Sequence, residues 1–247
     1  MNNLPTRDEA WNILTKYVKT EHLQRHVRTV EGVMRHFARL YNENEEEWGI
    51  LGMLHDIDFE LYPEEHCKKA PEILKAEGFD DEFIHAVVSH GYGLCSDVEP
   101  VTTAEKVLFT IDELTGLIYA CALMRPSKSV MDLELKSVKK KFKSPAFAAN
   151  VDREVIAKGA ERLGMPLDDV INETSSACAR LPTRSALPAY RKPERIRSWK
   201  LRFSATQAMK TGSAAFTWRA LRREKTPPRC LPMSGRRSCW RRSIPPR

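Results

Sequence analysis

No stretch of the 247 residues approaches the roughly 20 consecutive apolar side chains that a membrane helix needs, so no membrane span is expected. No opening segment joins a charged start to an apolar run, which argues against a secretory signal. The six cysteines (Cys67, Cys95, Cys121, Cys178, Cys230, Cys239) make no CxxC pair and no regular framework. Scattered thiols in a chain this long favour a reducing compartment, and the expectation is a cytoplasmic protein. Period-2 alternation with β-branched enrichment is missing almost everywhere, which excludes a sheet-based core.

Acidic residues are missing from one region only. Of the 40 basic and 33 acidic residues, 18 basic and 2 acidic lie in residues 181–247, a net charge of +16 there and −9 in the remainder. The overall +7 therefore describes neither part. Eight of the fifteen prolines also lie beyond Leu181, and no apolar stripe survives there for more than two turns. Such a segment buries too little to offset its ordering entropy. The chain divides into a helical domain over 1–181 and a basic Arg/Pro/Ser-rich tail over 182–247, expected to be disordered. Arginines interleaved with Trp199, Phe203, Phe216, Trp218 and Trp240 could pair phosphates and stack bases, so any nucleic-acid partner would be met through the tail. The preferred reading is that the tail is a frame-shift or read-through product, since loss of acids with Arg, Pro, Ser, Cys and Trp enrichment is what a wrong frame yields.

Residues 1–181 read as helix after helix. The apolar spacing and punctuation predict helices near 7–18, 21–42, 45–57, 65–77, 80–90, 103–124, 133–143, 152–163 and 168–180. Thr20 is a candidate cap for the second, while Gly78, Gly91 and Gly164 close others. The fold class is all-α, a multi-helix bundle.

All seven histidines lie in the first 90 residues. His26, Val30, Val33, Phe37 and Leu40 step by four and three, which places His26 on an apolar stripe. Trp48, Leu51 and His55 share a face, with Asp56 beside it. Phe83, Val87 and His90 share another, as do Leu108, Asp112, Thr115 and Tyr119. Buried ionisable groups are costly unless paired or bound to a cation, and a metal site accounts for the whole cluster at once. Imidazole and carboxylate donors suit Mn, Fe, Co, Zn or Mg. His22 and His36 read as ordinary core or surface residues. His85 lies about 140° round its helix from His90 and cannot easily share an ion with it.

The order His26, His55-Asp56, Asp112 on successive helices resembles the HD-domain superfamily of metal-dependent phosphohydrolases. His55-Asp56-Ile57-Asp58 is similar to its signature, and Thr110-Ile111-Asp112-Glu113-Leu114 to its terminal aspartate helix. Glu65-His66 and Ser89-His90-Gly91 resemble the extra histidines of the binuclear branch, although the doubled histidine of that branch is His90-Gly91 here. The motifs span about residues 20–120. The resemblance implies that His26, His55, Asp56 and Asp112 hold a first divalent ion, and that Asp56 bridges to a second on His66 and His90. It implies Asp56 as a catalytic carboxylate, with Asp58 or Glu65 as candidate proton acceptors, and a small phosphorylated, nucleotide-like substrate. Arg125 and Lys128, just past the aspartate helix, are candidate phosphate contacts. Two alternatives stay open: a di-iron oxygenase, and a non-catalytic metal-containing module with a nucleic-acid-binding tail.

Overall fold

Helix follows helix through the chain, and among the described residues the only β pairing is an isolated bridge between Tyr92 and Ser96. The computed structural model describes residues 4–181. The tail of 182–247, with its nucleic-acid reading, lies outside them. The fold is an all-α, multi-helix bundle of α1 (Arg7–Tyr17), α2 (Glu21–Tyr41), α3 (Glu45–Leu54), α4 (Ala70–Ala76), α5 (Asp81–Ser89), α6 (Thr103–Leu123), α7 (Leu135–Phe142), α8 (Arg153–Leu163) and α9 (Leu167–Arg180). Local chemistry sets most of the boundaries. Thr6 with Glu9, and Thr102 with Glu105, form capping boxes, while the carboxamide of Asn44 and the carboxylates of Asp80 and Asp152 accept from first-turn amides. Asn42 and Gly164 end α2 and α8 in the left-handed conformation.

Four local expectations fail. Thr20 precedes α2 but does not cap it; its amide and hydroxyl both donate to the Glu60 carboxylate, at 3.0 and 2.8 Å. Leu40 is 46% exposed, although Ala38 in the same turn is fully buried and Tyr41 packs against the core. The helix expected over 65–77 begins only at Ala70. Cys67 takes a left-handed φ of 65°, and the turn around it separates α4 from a short 3-10 segment at Pro63–Glu65. Similarly, α3 stops at Leu54, and turns carry the chain from His55 to Leu61.

The main core forms where α2 meets α3 and α6. Val27, Val30, Val33, Met34 and Phe37 are fully buried, as are Leu51, Leu54, Leu108 and Ile111. Each such side chain contributes roughly 1.5–3 kcal/mol of burial free energy. Gly52 lets α3 lie against α2, since a Cβ there would stand 2.8 Å from Met34 Cγ and 3.1 Å from the Val30 carbonyl oxygen. A second core surrounds the later turns of α6, where Leu114, Leu117, Ile118 and Cys121 pack with Val138, Ile156, Ala160, Val170 and Ile171. Helix α6 therefore belongs to both cores, and Asp112 sits between Ile111 of the first and Leu114 of the second.

Candidate metal centre

Helix ends and the turns beyond them deliver most of the site. His26 comes from the body of α2 and Asp112 from the middle of α6. His55 is the residue at which α3 stops, and Asp56 follows it. His90 ends α5 in the same way, and His66 ends the 3-10 segment. The six side chains meet. His26 Nε2 stands 3.0 Å from Asp112 Oδ1 and 3.3 Å from His55 Nε2, and His55 Nε2 stands 3.4 Å from Asp112 Oδ1. On the other side His66 Nε2 and His90 Nε2 are 3.2 Å apart.

Asp56 joins the two groups. Its Oδ2 lies 3.5 Å from His26 Nε2 and 3.4 Å from His55 Nε2. Its Oδ1 lies 3.4 Å from His66 Nε2 and 3.7 Å from His90 Nε2. One carboxylate thus offers one oxygen to each group.

The far sides of the imidazoles determine which nitrogen is available. Nδ1 of His55 donates to the Gly52 carbonyl at 2.8 Å, and Nδ1 of His90 donates to the Val87 carbonyl at 2.5 Å. Carbonyls only accept, so these nitrogens carry the protons and, in the neutral rings, the Nε2 lone pairs point inward. Nδ1 of His66 donates to Asp58 Oδ1 at 2.8 Å, the carboxylate–histidine arrangement common behind metal ligands.

This donor set fits a divalent cation. Facing lone pairs cannot satisfy one another, and donor separations of 3.0–3.7 Å are those of neighbours around an ion bound at about 2.0–2.1 Å. Clusters able to hold a metal include His26, His55 and Asp112, and also His55, Asp56 and His90. A third comprises His66, Cys67 and His90, and adds a thiol to the second group.

The electrostatics describe a site built around negative carboxylates. Burial disfavours charge on Asp56 and Asp112, yet the surrounding imidazoles hold both below the ordinary carboxylate range. Burial also opposes charge on His55, but Asp56 and Asp112 outweigh it and raise its pKa well above the usual value. For His66 burial is again outweighed, here by Cys95 and then by Asp58 and Asp56, and the pKa rises to about 9. His90 goes the other way, lowered to about 4 by burial and by His55 and His66 beside it. His90 is therefore a neutral donor at neutral pH.

The cluster forms the floor of a cavity of about 240 Å³. One wall comes from α2, with His22, Arg25, His26 and Thr29 on one face at helical spacing. Tyr119, Ala120 and Leu123 of α6 and Leu94 provide apolar surface. Burial pushes the Tyr119 phenol up to about 12, against the pull of Arg25, with which it interacts. Residues 148–151 line another side, and the Arg153 guanidinium holds this loop by bonding the carbonyls of Ser144, Phe147, Ala148 and Val151. Glu113 Oε2 accepts the Asp152 amide at 2.9 Å and fastens the loop to α6.

His26, His55, Asp56, His66, His90 and Asp112 are thus brought together; other candidates are not. Asp58 is fully buried behind His66, where its Oδ2 also accepts the Ala70 amide at 2.9 Å. It orients the His66 ring and does not face the cavity. Glu65 is exposed and lines no part of the cavity. Arg125 pairs with Asp132 at 2.9 Å, and Lys128 is exposed in a left-handed turn; neither lines the cavity. The cation that does line it is Arg25, which sequence reasoning missed although it precedes His26 and shares the face of His22 and Thr29. His22 lines the cavity too. His36 is buried against Glu173 of α9 at 2.7 Å, and His85 pairs with Glu105 at 3.0 Å. Comparison with protein-family models, curated proteins and solved structures gave no match, so a functional reading rests on these residues themselves.

Proposed function

We propose that this chain is a metal-dependent phosphohydrolase that cleaves a phosphate ester of a nucleotide-like small metabolite. The observation that carries the reading is Asp56, one oxygen directed to His26 and His55 and the other to His66 and His90, at the floor of a cavity. The resemblance of the His55-Asp56 and Asp112 motifs to HD-type hydrolases points the same way. His26, His55, Asp56 and Asp112 would hold one divalent ion, and Asp56, His66 and His90 a second. Divalent ions in such a pair acidify water and offset phosphate charge.

The protein's own groups supply the rest. Asp56 and Asp112 remain anionic and His90 remains neutral, whereas His55 and His66 are held protonated in the metal-free chain, so these two would release their protons to an incoming ion. Arg25, held at 2.6 Å from the exposed Glu21 carboxylate, places a cation on the wall beside His26, where a substrate phosphate oxygen could share it. The Tyr119 phenol keeps its proton and can donate to the same group. Leu94, Ala120 and Leu123 offer apolar surface to the organic part of the substrate.

Turnover of nucleoside monophosphates and generic phosphoesters, with each of Mn, Fe, Co, Zn and Mg, tests the proposal. Phosphate release should disappear with a chelator and in His55→Ala and Asp56→Ala. Release that survives all three would falsify it, and oxygen uptake without phosphate release would assign the site to a di-iron oxygenase.

A further inference from the structure

Cys67 and Cys95 are 28 residues apart in the chain, yet their sulfurs lie 2.7 Å apart. Both are free and buried, at 2% and 9% exposure. Gly91 brings them together: a Cβ there would stand 2.2 Å from Cys95 Sγ and 2.5 Å from Cys67 Sγ, so only a glycine leaves room for both. Cys67 holds the left-handed φ of 65°, uncommon for a residue with a side chain and more frequent at functional positions. Cys95 lines the cavity, whereas Cys67 lies behind it.

We propose that Cys67 and Cys95 are an oxidisable dithiol, a modification site at which a peroxide entering the cavity closes an intramolecular disulfide. The sulfurs need to approach by only about 0.7 Å to reach bonding distance. Cys95 meets the oxidant first. Its sulfur attacks one peroxide oxygen; an S–O bond forms, the O–O bond breaks, and the thiol proton leaves with the other oxygen as water. The Cys67 sulfur then attacks the Cys95 sulfenic acid, forming the S–S bond and breaking the S–O bond, and its proton leaves with hydroxide as a second water. Two thiols are oxidised and one hydrogen peroxide is reduced. The bond would tie the turn after His66 to the turn after His90, the two segments that carry the second group of donors.

The full chain treated with stoichiometric hydrogen peroxide, then unfolded, alkylated and analysed by intact mass, should carry two alkyl groups fewer than the untreated chain and accept them after phosphine reduction. Tryptic peptides 40–68 and 76–106 should be joined. The oxidised chain should melt at a higher temperature than the reduced one, because a 28-residue separation is closed in the unfolded state. Cys67→Ser should stop at a sulfenic acid on Cys95 that dimedone traps. A link to any other cysteine, overoxidation of Cys95 without a link, or unchanged mass under conditions that oxidise a control thiol would overturn the proposal. The peptide map needs no variant, prior treatment with a chelator clears any ion from the cluster of His66, Cys67 and His90, and none of these readouts depends on turnover.

Discussion

The two groups of donors are held in different ways. In the first group His26 and Asp112 project from the bodies of two 21-residue helices, and only His55 stands at the end of a short helix, oriented by the Gly52 carbonyl. Core packing on several sides fixes these positions. His66 and His90 instead stand at the ends of short elements, a three-residue 3-10 turn and a nine-residue helix, and their orientation depends on single hydrogen bonds to Asp58 and Val87. A group built on helix bodies is rigid and hard to adjust. A group built on turns is tunable and easier to lose.

Ligand removal gives the sharpest test of that difference. His55→Ala should reduce bound metal to background by elemental analysis, since it removes a fully buried donor beside Asp56 and Asp112. On the proposed two-ion reading, His66→Ala or His90→Ala should lower the stoichiometry from two ions to one and leave the first in place. Equal loss in both classes would show that the groups are not separable. Asp58→Asn is the next step down. It should weaken the second ion by about 10- to 100-fold and leave the first unchanged, because it removes the charge behind His66 Nδ1 and leaves one acceptor oxygen where His66 and the Ala70 amide now use two. Titration with a competing chelator reads both constants.

Adding a methyl group tests the turn side from its backing. Gly91→Ala should cost about 1–3 kcal/mol in denaturant unfolding, because the new Cβ meets two sulfurs with nowhere to go. Its damage should fall on the second ion, through the displacement of His90. The smallest effect is the pH dependence of the metal-free chain. The His66 pKa of about 9 lies above its ordinary value of 6.5, so the folded state binds this proton more tightly than the unfolded state does. That stability is present in full below about pH 6.5 and is lost as pH rises towards 9. Melting temperatures of chelator-treated protein should fall across this window, and less steeply in Asp58→Asn.

The same division explains what could be read from the sequence. The α2 stripe of Val30, Val33 and Phe37 and the α6 positions around Asp112 were legible, because a long helix repeats its burial pattern often enough to expose its inward face. The turns repeat nothing. That Cys67 is left-handed, that α4 waits until Ala70, and that Asp58 turns away from the cavity all depend on contacts between segments distant in sequence. Thr20 shows the same limit, since the Glu60 carboxylate took the hydrogen bonds a local rule assigned to capping. Arg25 was missed for a related reason. Its spacing from His22 and Thr29 was present in the sequence, but that this face of α2 borders a cavity depends on how α6 and residues 148–151 pack around it.

The Asp58 carboxylate also has a consequence beyond the site. One oxygen orients the His66 ring and the other closes the first turn of α4 at the Ala70 amide. The first turn of that helix and the alignment of that imidazole therefore share one carboxylate. Protection of the Ala70 amide against deuterium exchange should follow the readiness of His66 to coordinate, which makes one backbone proton a reporter for half of the site.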